Sequence, residues 1–221
     1  MILMIALESE GAYKATCHVE RTRLLVRRWA VALIVILSVV LTQCTTLGHY
    51  SFHGSVIDPP APAPDFALRD QRGQVFRLSD QKGKLILLYF GYTSCPDVCP
   101  TTLAVLKRTR MQLDRQAEQV RVVFVTVDPE RDSAERIGAY LGAFDPTFVG
   151  LSGTEPELEP IWRAYGVYRQ KQPGSSALGY TVDHTARIYL IDAQGQLRLT
   201  FPFGITADDI APDVRYLLMH K

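Results

Sequence analysis

The feature that most constrains this chain is the run KLILLYFGYTSCPDVCP at residues 84–100. Lys84 to Tyr92 is nearly continuous in apolar residues, the pattern of a central strand covered on both faces. Directly after it, Thr101 to Leu113 places Leu103, Leu106 and Met111 at spacings that read as a helix. A buried strand, two cysteines and a helix therefore succeed one another within thirty residues. A sheet with helices laid over it accommodates that order, because only a covered sheet needs a strand apolar on both sides.

The rest of the domain fits the same architecture. Val120 to Val127 (VRVVFVTV) is a second central strand, and Phe66–Leu68 and Gln74–Leu78 are short strands around the Arg72-Gly73 turn. Helices are predicted over Ala134–Phe144, with Ile137 and Leu141 on one face, and over Glu155–Tyr165. A short strand at Thr147–Leu151 lies between them. Val182–Ile191 and Gln196–Phe201 form a predicted hairpin about Ala193-Gln194-Gly195, and Thr206–Leu218 closes the chain as a helix. Alternating strands and helices, then a hairpin and a helix, predict an α/β fold with a central mixed sheet flanked by helices. A strand leading into a cysteine pair and then a helix is the thioredoxin-like arrangement.

Upstream, the chain is organised as a targeting region. Arg21, Arg23, Arg27 and Arg28 precede the apolar run from Trp29 to Leu41. A basic flank before an apolar run is the pattern of a signal peptide or signal anchor, and it places the remainder of the chain outside the cytoplasm. The expected organisation is a basic cytoplasmic segment at 1–28, an anchor or lipoprotein-type signal at 29–47, a proline-rich linker at 48–64 and the folded domain at 65–221. Cys44, after Leu41-Thr42-Gln43, is a candidate lipidation site, though Gln43 stands where a small residue is usual. Residues 1–20 resemble no signal, as if the start codon were assigned too early. This predicts a bacterial inner-membrane protein with its domain facing the periplasm. The charge balance, 24 basic against 23 acidic residues, gives no electrostatic footprint for nucleic acid.

The chemistry resides in Cys95 and Cys99. Thiols at a helix N-terminus are acidified by its dipole, and four residues apart on a turn or helix they point the same way. Pro96 and Pro100 stiffen the loop, Pro100 sitting where the first helical turn tolerates proline. Three readings stand at this point: a structural disulfide, a thiol redox pair and a metal site. Soft sulfur favours Cu(I), with imidazole a common third ligand. A structural zinc would want a fourth strong ligand, and none is evident. Of the five histidines, His18, His49 and His53 lie in the targeting region or linker and His220 lies beside the C-terminus. His184, at the start of the predicted strand, is the one inside the domain. Alone it reads as a core histidine or as a ligand.

Three stretches then converge: Tyr89–Pro100 (YFGYTSCPDVCP), Val125–Asp132 (VTVDPERD), and Val182-Asp183-His184-Thr185 with Tyr189-Leu190-Ile191-Asp192. Together they resemble the Sco/SenC family of copper chaperones, over about Pro64 to the C-terminus. Ser94 departs mildly from the family pattern, which favours a bulkier residue or histidine there. The resemblance implies a thioredoxin-like, membrane-anchored protein that binds one copper ion, Cu(I) or Cu(II), through Cys95, Cys99 and His184. It implies a metallochaperone rather than an enzyme, assisting assembly of the binuclear copper centre of cytochrome c oxidase. The expected partners are the copper-bearing subunit of that oxidase, other copper chaperones and thiol reductants. Thiol-disulfide exchange and copper or redox sensing remain alternatives on the same site. Asp97 is expected either beside the metal or as a helix-start acid, Asp128 either near the site or in a turn, and Asp183 either orienting His184 or facing solvent.

Overall fold

The structure is a computed structural model, and it describes Trp29, residues 50–173 and residues 179–220. The expected basic segment at 1–28, Cys44 and the bulk of the anchor at 29–47 lie outside the described residues. Among the described residues no helix is long and apolar enough to cross a membrane.

Among the described residues from Tyr50 on, ten strands and four α-helices succeed one another in the order β1 (Ser55–Pro62), β2 (Ala67–Asp70), β3 (Val75–Arg77), β4 (Leu85–Gly91), α1 (Val98–Gln112), β5 (Val120–Thr126), α2 (Ala134–Gly142), β6 (Val149–Ser152), α3 (Glu155–Ala164), β7 (Arg169–Pro173), β8 (Tyr180–His184), β9 (Arg187–Ile191), β10 (Gln196–Pro202) and α4 (Ala207–Met219). Among the described residues, eight strands form one mixed sheet in the order β1-β10-β9-β4-β5-β6-β2-β3, while β7 and β8 pair only with each other. The two runs read as central strands are central. β4 is buried at all seven positions and runs parallel to β5, which runs parallel to β6. On its other side β4 pairs antiparallel with β9. Covered on both faces and hydrogen-bonded on both edges, β4 is the most enclosed element of the domain.

Helix ends obey local chemistry. Ser133 Oγ accepts the Arg136 N–H at the start of α2, and Thr154–Glu157 and Thr206–Asp209 form capping boxes for α3 and α4. α1 packs against α4, and α2 lies over β6. Gly150 in β6 makes that approach possible, because a Cβ there would come within 2.1 Å of Ile137 Cγ2.

Three sequence expectations are corrected. Within the expected proline-rich linker at 48–64, Ser55–Pro62 is an edge strand of the domain, pairing Ser55 with Thr200 and Pro62 with Gln196 on β10. An edge strand needs hydrogen bonds on one side only, so proline is tolerated there. The compact unit accordingly begins at Phe52 rather than Asp65. Met111 is 68% exposed rather than on the buried face with Leu103 and Leu106. Five residues on from Leu106 is a rotation of about 140° around the helix. Finally, Val182–Ile191 is not one strand. It breaks at Thr185-Ala186 into β8 and β9, and β8 belongs to the separate ribbon with β7.

Candidate metal centre

Cys99 is set from below. It lies in the first turn of α1, fully buried, against the C-terminal end of β4. Space for its sulfur exists because residue 91 is glycine: a Cβ there would stand 3.0 Å from Cys99 Sγ and 2.8 Å from the Phe124 ring. The Tyr89 hydroxyl lies 3.5 Å from the same sulfur.

Cys95 is half-buried in the loop before α1. No side-chain oxygen caps that helix. Instead the Cys99 N–H donates to Cys95 Sγ at 3.3 Å, so the sulfur takes the position a capping oxygen would hold. The two thiols are thereby driven apart in acidity. The hydrogen bond from Cys99 pulls Cys95 down to about 4 against the opposing effect of burial, with further help from His184 and from the backbone N–H groups of Cys99 and Asp97. The same hydrogen bond, then burial, then the charge on Cys95, push Cys99 far up. The negative charge is thus favoured on the more exposed Cys95 and the proton on the buried Cys99.

The loop that carries Cys95 is pinned by a carboxylate that sequence reasoning does not single out. Asp132 is 2% exposed and accepts from the Thr93 N–H at 3.1 Å, from Thr93 Oγ1 at 2.6 Å and from Thr126 Oγ1 at 2.7 Å. Burial raises its pKa against those hydrogen bonds. Arg136 of α2 reaches over to Thr93 Oγ1 at 2.8 Å and Ser94 Oγ at 2.9 Å. The signal is present in VTVDPERD, where Thr126 and Asp132 are close in sequence, but nothing in the sequence places Thr93 beside them.

His184 arrives from the ribbon. Its Nε2 lies 3.6 Å from Cys99 Sγ, and its Nδ1 lies 3.1 Å from the Thr185 carbonyl oxygen. A carbonyl only accepts, so Nδ1 carries a proton and Nε2 is the ring nitrogen that faces the sulfurs. The ring stands edge-on to Tyr92, with centroids 5.8 Å apart. The ligand atoms of Cys95, Cys99 and His184 all lie within 4.8 Å of one another, forming among the described residues a group able to hold a metal ion. An open cleft lined by Cys95, Pro96, Asp97, Thr181 and His184 leads to solvent.

The three aspartates separate. Asp97 is exposed at the N-cap of α1, where its carboxylate accepts from Thr101 Oγ1 at 3.4 Å. Asp183 is exposed and accepts from Gln172 Nε2 at 3.0 Å across the ribbon. Asp128 is fully buried, paired with Arg131 and accepting from the Tyr180 hydroxyl at 2.7 Å. None of the three joins the cysteine–histidine group.

Comparison with known proteins agrees with this arrangement. The SCO1/SenC family profile matches residues 56–219. A SCO2-like protein of Rickettsia prowazekii is 33% identical over 180 residues, covering 81% of this chain and 86% of that protein. The mitochondrial SCO2 homologue of Bos taurus is 37% identical over 153 residues, covering 68% of this chain and 58% of its own length. Among solved structures, the copper-bound ScoI of Bradyrhizobium japonicum is 39% identical with a TM-score of 0.65, covering 71% of this chain and 99% of that one. With its thioredoxin-like mixed sheet and its match over nearly the whole described domain, the chain belongs to the SCO1/SenC family.

Proposed function

We propose that this protein binds one copper ion through Cys95, Cys99 and His184 and delivers it during assembly of the binuclear copper centre of cytochrome c oxidase. The observation that carries the reading is the convergence of two sulfurs and one imidazole nitrogen within 4.8 Å. That donor set suits copper: thiolates favour Cu(I), and the imidazole completes three-coordination. A relative at 39% identity has been solved with copper bound. The link to the oxidase rests on the family resemblance.

Each residue has a part. Cys95 supplies a ready thiolate at the mouth of the cleft. Cys99 supplies the buried sulfur, giving up its proton as the metal enters. His184 contributes an imidazole nitrogen. Copper, when bound, supplies a one-electron carrier and the cargo itself. The basic flank and apolar run before residue 48 would tether the domain at the outer face of a bacterial inner membrane.

Titrating the reduced protein with Cu(I) in competition with a chelator tests the ligand set. Wild type should bind one equivalent, Cys95→Ala and Cys99→Ala should lose binding, and His184→Ala should weaken it. Copper binding unchanged in any of the three would overturn the assignment. A second reading, thiol-disulfide exchange, is favoured by one observation: an acidified, half-exposed Cys95 beside a protonated, buried Cys99 is the pattern of a nucleophile and a resolving thiol. Copper-independent reduction of a disulfide substrate would measure it.

A further inference from the structure

The ligand set joins two pieces of structure that no strand pairing connects. The cysteines are attached to the eight-stranded sheet, whereas His184 ends β8 of a ribbon outside it. An isolated two-stranded ribbon is marginal in water. Something other than a hydrogen-bonded ladder must therefore hold His184 at 3.6 Å from Cys99 Sγ.

The contacts that do so gather at the other end of the same strand. Arg131 lies in the turn after β5. Its guanidinium covers the Tyr180 ring at 3.7 Å, and its Nη1 donates to the Tyr180 carbonyl at 2.9 Å. Asp128 is fully buried, ion-paired with Arg131, and accepts the Tyr180 hydroxyl at 2.7 Å. The Asp128 backbone is itself fixed, its N–H donating to Thr126 Oγ1 at 2.9 Å. Tyr180 is thus gripped by its ring, its hydroxyl and its carbonyl, which fixes both the position and the rotation of β8. Side chains on a strand alternate, so residues 180 and 184 project from one face, roughly 13 Å apart along the strand. Midway between them, the Val182 N–H donates to the Tyr92 hydroxyl at 3.2 Å. Tyr92 ends the path from β4 and stands edge-on to His184.

We propose that Asp128, Arg131 and Tyr180 form a clamp that positions His184 for the metal. The proposal rests on the reading of His184 as a ligand. The three are positioning residues, since none of them belongs to the ligand group. Without the clamp the two sulfurs keep their places on α1 and its loop, while the imidazole loses its fixed approach. The loss therefore falls on the third ligand alone.

A double-mutant cycle in the full chain tests this. Cu(I) affinity is measured by chelator competition for wild type, Arg131→Gln, His184→Ala and the pair combined. Nitrogen coordination is tracked by X-ray absorption, and folding by thermal unfolding. Arg131→Gln should weaken copper by about 10–100-fold, the range seen when partners that orient a ligand are lost. It should also diminish the nitrogen contribution. In the His184→Ala background the same substitution should cost no more affinity. Tyr180→Phe keeps the ring under the guanidinium and removes the hydroxyl's bond to Asp128 and its longer one, at 3.3 Å, to Glu130 Oε2, so it should give a smaller loss of the same kind. It serves as the test should Arg131→Gln fail to fold. Wild-type affinity and an unchanged nitrogen signal in both Arg131→Gln and Tyr180→Phe would overturn the clamp. So would losses that multiply in the double variant. If His184→Ala alone left affinity unchanged, the ligand assignment would fail first, and the clamp with it.

Discussion

The cysteine loop and the histidine ribbon present their ligands to the same point by different means. The loop hangs from β4, whose backbone is bonded to β5 on one side and β9 on the other, and whose side chains are all buried. Its geometry is set by backbone ladders and packing. The ribbon has a ladder of its own, Arg169 to Pro173 against His184 to Tyr180, but no ladder to the body. It is fastened by side chains: Arg131 and Tyr180, Tyr92, Arg169 stacked on Trp162 at 4.7 Å, and Lys171 paired with Glu130. Two sulfurs are thus held by the element hardest to deform, and one nitrogen by polar and cation–π contacts that open at lower cost. The body sets where copper sits, and the ribbon sets how tightly the site is closed.

The largest expected effect separates the two directly. Leu88→Ala, in the middle of β4 and fully buried, should cost about 2–5 kcal/mol of global stability. Amide exchange should register that loss at β4 and β5 while leaving the ribbon amides at their own lower protection, because the ribbon opens without the body unfolding. Equal loss of protection in both would break the comparison. Next comes thiol reactivity. With Cys95 drawn down to about 4 and Cys99 pushed up, alkylation near neutral pH should modify Cys95 faster on the order of a hundredfold. Its rate should fall only as pH drops towards 4, a change that mass mapping of the labelled cysteine would record. A single rate for both thiols would show that their acidities are not driven apart.

Gly91→Ala ranks third, at about 1–3 kcal/mol, since its methyl group has no room between Phe124 and Cys99 Sγ. Chemical denaturation measures the cost, and weakened copper binding should accompany it because the buried sulfur must shift. The smallest effect lies at the far edge of the body. There His53 donates its N–H to the buried Asp213 at 2.9 Å, with its ring at 3.0 Å from the same carboxylate. The ring's bond to Asp213 raises the His53 pKa above 6.5. A raised histidine stabilises fully below its unfolded value and loses that contribution as pH rises through the shifted one. Thermal midpoints should therefore fall slightly across that range in wild type but not in His53→Gln. The effect is small because the imidazole is 44% exposed.

The same contrast explains how much of the molecule is legible in its sequence. Leu85–Gly91 and Val120–Thr126 announce themselves as central strands because burial on both faces leaves a nearly unbroken apolar run, and the cysteines come only a few residues after one of them. The ribbon gives no such signal. Arg169–Pro173 reads RQKQP, with no alternating apolar face, and its partner strand buries Val182 alone among YTVDH. His184 is therefore legible only through its company in the family pattern, and nothing local reveals that Tyr180 and Asp128 meet. Asp132 escapes for a related reason. Its three bonds run to Thr93 and Thr126 on two strands' ends, a convergence that exists only once β4 and β5 lie side by side. The Ser55–Pro62 strand is hidden by its own prolines, which mark an edge as readily as a linker.

The opposite acidities of the two cysteines have a consequence for exchange. Empty, the pair carries one negative charge, on Cys95. Uptake of a univalent ion, as proposed for Cu(I), expels the Cys99 proton, so two thiolates and one cation again sum to one negative charge. Loading is isoelectric at this centre. With a univalent ion as cargo, a partner approaching the cleft would meet the same net charge at these ligands whether cargo is present or absent.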